Sequence, residues 1–188
     1  MEKYRYNYNW FLNSEIFKHI SHHLDSKKEN HILEIGCFEG LSSVYFADNL
    51  LNHEASSMIC VDPFLSIHGN DHENLLKNNV EENFDFNINT CNNSNKINIQ
   101  KVTSDEFFKN NDKYFNFIYI DGCHDPNFII RDMKNSFKFL KKNGIMWMDD
   151  YLGGDGIKIK TMMNSFLKEY KGQYHLIHMG YQLAIKKY

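Results

Sequence analysis

The chain has 188 residues and a formal net charge of −3, from 21 lysines and arginines against 24 acids. That length suits one domain with a full α/β core and excludes a separate substrate domain. The charge provides no basic face for nucleic acid, no apolar stretch nears the roughly 20 residues that cross a bilayer, and the Glu2, Lys3, Arg5 start lacks a signal-peptide core, so a soluble cytoplasmic protein is expected.

Residues 1–12 form an aromatic-rich leader with Tyr4, Tyr6, Tyr8, Trp10 and Phe11. This leader reads as detachable: a lid over an acceptor, a platform for a sugar face, or packing in a homo-oligomer interface, the last slightly favoured. Ser14 to Leu24 has the spacing of an amphipathic helix with Ile16, Ile20 and Leu24 on one face. His31 to Ile35 is a short apolar strand closing on Gly36, and Cys37-Phe-Glu-Gly40 is a tight loop. Leu41, Val44, Tyr45, Ala47 and Leu51 carry a helical spacing, and Ser57 to Val61 is a second buried strand ending in Asp62. Residues 64–95 are polar and irregular, with one helix expected between Glu73 and Phe84. Ile97 to Val102 reads as a strand, and a short helix opens at Asp105 to Phe108. Phe115 to Ile120 is an apolar run too short for a helix, hence a buried parallel strand. Pro126 starts a helix through Phe128, Ile129, Met133, Phe137 and Leu140, with Asn143-Gly144 as its stop. Ile145 to Met148 is the next strand and Ile157 to Tyr170 the last helix. Tyr174 to His178 and Gln182 to Lys186, joined near Gly180, make a closing hairpin. The alternation predicts a single α/β domain over residues 1–188: a Rossmann-like, doubly wound, seven-stranded sheet, mostly parallel, with a C-terminal antiparallel hairpin.

Strand, glycine turn, helix, strand and acid is the layout that holds an adenosine group. Glycines let backbone approach a ligand, and an acid at the tip of the second strand accepts hydrogen bonds from both ribose hydroxyls. A dinucleotide fingerprint would need three glycines for a pyrophosphate; here only Gly36 and Gly40 are present, preceded by Glu34. An acid there suits a ligand with an ammonium group and repels a diphosphate. S-adenosylmethionine fits, with Asp62 on the ribose and Glu34 at the amino acid end.

The motifs Ile32 to Gly40 (ILEIGCFEG), Val61-Asp62-Pro63-Phe64, Tyr119-Ile-Asp-Gly-Cys-His124 and Asp149-Asp150-Tyr151 resemble those of class I S-adenosylmethionine-dependent methyltransferases, in particular a small stand-alone group. The resemblance runs over nearly the whole chain, including Gly180 to Lys187, and implies fold and cofactor more than substrate. The expected cofactor contacts are Glu34, Gly36, Cys37, Gly40, Asp62, Pro63, Ser104 and Asp121.

Ligands in such sheets bind beyond the carboxyl ends of the strands. One strand ends in Asp121 and its expected neighbour in Asp149 and Asp150. Three unpaired carboxylates at one spot raise one another's pKa, and a divalent cation relieves that, magnesium before manganese or calcium for an all-oxygen set. The plainer reading has Asp149 or Asp150 capping the turn into Leu152-Gly153-Gly154, and Asp121 orienting the cofactor. The resemblance to the catechol and macrolide-sugar O-methyltransferases implies the metal set Asp121, Asp149 and Asp150. His124, three residues past Asp121, is close enough to accept a proton, and the macrolide-sugar type implies that it is the base; Asp121 and His124 are therefore the expected catalytic pair. The four cysteines, with no C-x-x-C pair, read as free thiols, and zinc is not expected. The reading reached is metal-assisted O-methylation of a small-molecule hydroxyl, with a sugar or sugar conjugate first. The alternatives are methylation of RNA or protein, and non-catalytic cofactor binding. Residues 1–12, the 64–75 loop and residues 153–156 are expected to shape the acceptor pocket.

Overall fold

The structure is a computed structural model and describes residues 3–65, 79–153 and 156–188. Seven strands form one sheet: β1 (His31–Ile35), β2 (Ser57–Val61), β3 (Ile97–Gln100), β4 (Phe115–Ile120), β5 (Leu140–Met148), β6 (Tyr174–Met179) and β7 (Leu183–Lys187). Their order is β3-β2-β1-β4-β5-β7-β6. The first five run parallel, and β7 is antiparallel to both β5 and β6. The doubly wound sheet with its antiparallel close is thus as expected. Strand order reverses between β1 and β4, which run parallel, so the carboxyl ends of those two strands form the switch point where ligands bind in such sheets.

Among the described residues the α-helices are α1 (Ile16–His19), α2 (Leu41–Leu50), α3 (Val80–Thr90), α4 (Ser104–Asn110), α5 (Pro126–Phe139) and α6 (Gly156–Glu169). Strand alternation divides the core in two. Ile32, Met58, Cys60, Phe117, Tyr119 and Trp147 face α2 and α3. Leu33, Ile35, Ile59, Val61, Ile118 and Met146 face α4, α5 and α6. Fully burying each such side chain contributes about 1.5–3 kcal/mol. Local chemistry sets the helix starts. Thr103 and Glu106 form a capping box at α4, and Asp125 caps α5, whose first residue is Pro126.

Several expected boundaries move. Ser14 to Leu24 is not one helix: α1 is a single turn flanked by 3-10 turns at Trp10–Asn13 and Ile20–His22. Of its expected apolar face only Ile16 and Ile20 are fully buried, too little to carry three turns. The helix placed between Glu73 and Phe84 is observed at Val80–Thr90; residues 73–78 lie outside the described residues. Helix α5 stops at Phe139, not at Asn143-Gly144, because β5 starts at once with Leu140 opposite Phe115. Asn143, at φ 61°, lies in the irregular stretch before pairing resumes at Phe117 and Ile145. Among the described residues no helix is long and apolar enough to cross a membrane.

The described part of the leader packs against the domain. Arg5 exchanges backbone hydrogen bonds with the Asn87 amide at 2.7 Å each way, and the Tyr4 hydroxyl donates to Asp48 at 3.0 Å. Phe11 enters the core against Phe17, Phe46 and Tyr119.

Candidate active site

The turn after β1 is held by backbone from three strands. Asp121 N–H donates to the Ile35 carbonyl at 2.8 Å, and Gly36 N–H to the Val61 carbonyl at 3.0 Å. Gly36 has φ +82°, and a Cβ there would lie 2.0 Å from the Asp121 carbonyl oxygen, so only glycine fits. Asp62 braces the turn. Its Oδ2 accepts from Cys37 N–H at 2.8 Å and Phe38 N–H at 3.0 Å, and its Oδ1 from Phe64 N–H at 2.8 Å. A carboxylate has about four lone-pair directions. Three are taken by these backbone N–H groups.

Glu34 is not at the cavity. It shares the Ile32 face of β1, is 0% exposed, and accepts hydrogen bonds from the Ser42 and Ser43 hydroxyls of α2. Burial pushes its pKa up to about 7, against the pull of those hydroxyls. Period-two alternation aims it into the helix layer, so it cannot hold the amino acid end of a cofactor. Glu39, passed over in the sequence, is the acid that organises this region. Its Oε2 accepts from the Asn7 and Tyr8 N–H groups at 2.8 and 3.1 Å, and its Oε1 from the Asn7 and Asn83 amides at 2.6 and 2.8 Å. The leader is thereby strapped across the glycine turn. Trp10 stacks on Phe38 at 5.4 Å, with Tyr8 4.6 Å from Trp10.

Beneath the strap lies a cavity of about 660 Å³. Of the expected cofactor contacts, Gly36, Cys37, Asp62, Pro63, Ser104 and Asp121 line it, while Glu34 and Gly40 do not. Gly40 instead shapes the turn, where an added Cβ would meet the Phe84 ring at 2.9 Å. No lysine or arginine is among the described residues of its wall. Asp132 of α5, also unforeseen, lines the cavity while 3% exposed. Its Oδ1 has no hydrogen-bond partner, and burial raises its pKa to about 6. A helix acid with such spare accepting capacity suits a ligand that brings donors, as an adenosine does.

At the other end the sheet delivers a polar cluster. Ligand atoms of Asp121, His124 and Asp150 lie within 4.8 Å of one another. His124 Nε2 is 2.9 Å from Asp150 Oδ2, and the Tyr181 hydroxyl donates to Asp150 Oδ1 at 2.6 Å. Burial alone would raise the Asp150 carboxyl, but its bonds to His124 and Tyr181 outweigh that and hold it below the usual carboxylate range. Asp121 is exposed toward the cavity, and desolvation by the surrounding wall, then the Asp149 and Asp150 charges, push its carboxyl well up. Asp149 is outside that three-residue group, although its charge acts on Asp121. Its Oδ2 accepts from the Tyr119 hydroxyl at 2.6 Å and its Oδ1 from Asp150 N–H at 2.8 Å. The structure therefore brings His124 together with Asp121 and Asp150, and turns Asp149 toward the buried tyrosine. The two carboxylates are hard oxygen donors of the kind magnesium takes, whereas the imidazole beside them is a softer donor that suits transition metals.

The sequence matches the family described as "Methyltransferase domain" over residues 33–151. Over 123 residues it is 35% identical to an uncharacterized protein of Acanthamoeba polyphaga mimivirus, a match covering 63% of this chain and 50% of that protein. The chain thus spans about half the length of that curated relative. Among solved structures it is similar to a putative rRNA methylase from Clostridium thermocellum, at TM-score 0.69 and 15% identity over 90% of this chain and 92% of that one. It is also similar to the O-methyltransferase TomG of Streptomyces achromogenes, which takes part in tomaymycin synthesis and was solved with S-adenosylmethionine. That match has TM-score 0.65 and 13% identity over 86% and 74% of the two chains. A putative caffeoyl-CoA O-methyltransferase from Staphylococcus aureus matches at TM-score 0.59 and 20% identity over 84% and 75%. At these identities the structural likeness speaks to the fold.

Proposed function

This chain belongs to the methyltransferase-domain family, and we propose that it methylates a hydroxyl of a small molecule with the help of a divalent cation. Family and fold make it an S-adenosylmethionine-dependent methyltransferase of Rossmann-like architecture. The observation that carries the finer reading is the convergence of Asp121, His124 and Asp150 at one end of the cavity.

S-adenosylmethionine supplies an electrophilic methyl group, and a divalent cation supplies the charge that makes a weakly acidic hydroxyl easier to ionise. Residues of the chain do the rest. Asp62 and the Gly36 turn receive the nucleoside, with Ser104 and Asp132 further along the same wall. Asp121 and Asp150 are the residues that would hold the cation, with Asp149 behind them on Tyr119. His124 takes the proton from the acceptor hydroxyl, and its bond to Asp150 fixes the ring for that task. The described wall residues include no lysine or arginine, which suits an uncharged acceptor better than a phosphorylated one. Tyr8, Trp10 and Phe38 line the cavity as a cluster of tilted and stacked rings, an aromatic wall against which a sugar ring can pack, which supports a sugar or sugar conjugate.

The test is release of S-adenosylhomocysteine from S-adenosylmethionine with a panel of neutral sugar and phenolic hydroxyls. Excess chelator is expected to abolish release while calorimetry shows cofactor binding retained, and magnesium is expected to restore it. Asp150→Asn should act like chelation, because a neutral amide is a poorer partner for a hard cation. His124→Ala should lower turnover by about 10²–10⁴-fold, the usual share of a general base. Full activity in chelator refutes the cation, and an unchanged His124→Ala rate refutes the base.

A further inference from the structure

We propose that Tyr181 and Gln182, in the turn from β6 to β7, are positioning residues for a divalent cation, Tyr181 setting the Asp150 carboxylate that would hold it and Gln182, through Tyr119, the Asp149 carboxylate behind it, an inference that rests on the cation reading above. The sheet register brings them there. In the antiparallel pair of β5 and β7, Met148 lies opposite Leu183. Continued one step beyond the strands, that register puts Asp149 across from Gln182, and a second step puts Asp150 across from Tyr181. The side chains follow it. The Tyr181 hydroxyl donates to Asp150 Oδ1 at 2.6 Å, while His124 takes Oδ2 at 2.9 Å. The Gln182 amide reaches the Tyr119 hydroxyl at 3.4 Å, and that hydroxyl donates to Asp149 Oδ2 at 2.6 Å. Two consecutive residues of one turn thus hold two consecutive acids of another.

The turn is itself anchored. Gln182 is fully buried, and its Oε1 accepts from Trp147 Nε1 at 2.8 Å and Ile16 N–H at 3.0 Å. Its own N–H donates to Glu15 Oε2 at 2.9 Å, the oxygen that His178 Nε2 also approaches at 2.7 Å. Leu152 N–H donates to the Tyr181 carbonyl at 3.1 Å, which ties the loop after the acids to the same turn. Asp150 needs such support. It sits at φ 59°, a left-handed conformation that non-glycine residues adopt at a cost. With its Oδ1 held, the other oxygen is presented to the space it shares with Asp121 and His124. Outer partners of metal ligands act in this way, and their loss commonly weakens affinity about 10–100-fold.

Tyr181 is 47% exposed, so Tyr181→Phe removes the hydroxyl without disturbing the core. The experiment is calorimetric titration of the full chain with manganese(II) alone. Manganese affinity is expected to fall about 10–100-fold in Tyr181→Phe. Melting temperature and S-adenosylhomocysteine affinity should stay unchanged. Gln182→Met should weaken manganese in the same direction, with a lowered melting temperature because Trp147 and Ile16 lose their acceptor. Equal manganese affinity in wild type and Tyr181→Phe overturns the positioning role and leaves the cation reading standing. A wild-type chain that takes up no manganese overturns both.

Discussion

Glu34 occupies the place in the sequence where an acid is expected to meet a ligand, yet its carboxyl lies between β1 and α2. The sequence carried the warning. Ile32 and Glu34 share one side of a strand, and both flank an apolar neighbour on the other. What it could not show is that Ser42 and Ser43 would supply the donors a buried acid requires. Glu34 is raised from 4.5 to about 7 on folding, so folded protein holds this proton more tightly than unfolded. Its contribution to stability is then present in full below pH 4.5 and is lost as pH climbs through about 7. Glu34→Gln removes the titration. The melting temperature of the variant is expected to gain on wild type between about pH 5 and 8, a span worth a few kcal/mol by linkage. Parallel melting curves across that range would show that Glu34 does not titrate there. Asp62, Asp121, His124 and Asp150 were legible because they stand at strand ends, where few roles compete. Tyr181 was not, since its importance depends on a pairing register between segments more than thirty residues apart.

At the scale of elements, the strands and the long helices follow from their periodicity, whereas the leader does not. Its tyrosines and tryptophan have no helical or strand repeat, and its attachment runs through polar atoms of Glu39, Asn87 and Asp48 that no pattern reveals. Glu39 is 1% exposed and takes three of its donors from Asn7 and Tyr8. Deleting residues 1–9 spares Phe11 and the core it enters. The deletion leaves this carboxylate buried and mostly unpaired, at about 1–3 kcal/mol for each unmet bond before water enters. The truncated chain is therefore expected to fold with a lower melting temperature and to bind S-adenosylhomocysteine about tenfold more weakly, with Tyr8 gone from the cavity wall. Calorimetry and thermal melts on the deletion check both parts. An unchanged melt would mean that the strap is not seated on Glu39.

The whole molecule places its cavity at the switch between β1 and β4, with nucleoside-facing groups from β2 and β3 on one side and the acid cluster from β4 and β5 on the other. A ligand there bridges elements that otherwise meet mainly through the sheet, and it binds only the folded chain. S-adenosylhomocysteine at about 100 times its dissociation constant should add about 2.7 kcal/mol. For a chain of this length that is a rise in melting temperature of roughly 5–10 °C, and a scan showing no rise would refute binding at this site. The strand order also bears on how the protein comes into being. β7 is made after β5 and β6 yet lies between them. As the chain is synthesised, β6 has no partner to join until residues 183–187 appear and insert. Residues 31–120 by then already include everything needed to build β1 through β4 and the glycine turn, whereas Asp149 and Asp150 wait for Tyr181 and Gln182. By this order the Gly36 and Asp62 side of the cavity can assemble before the Asp149 and Asp150 side, whose partners Tyr181 and Gln182 are made later.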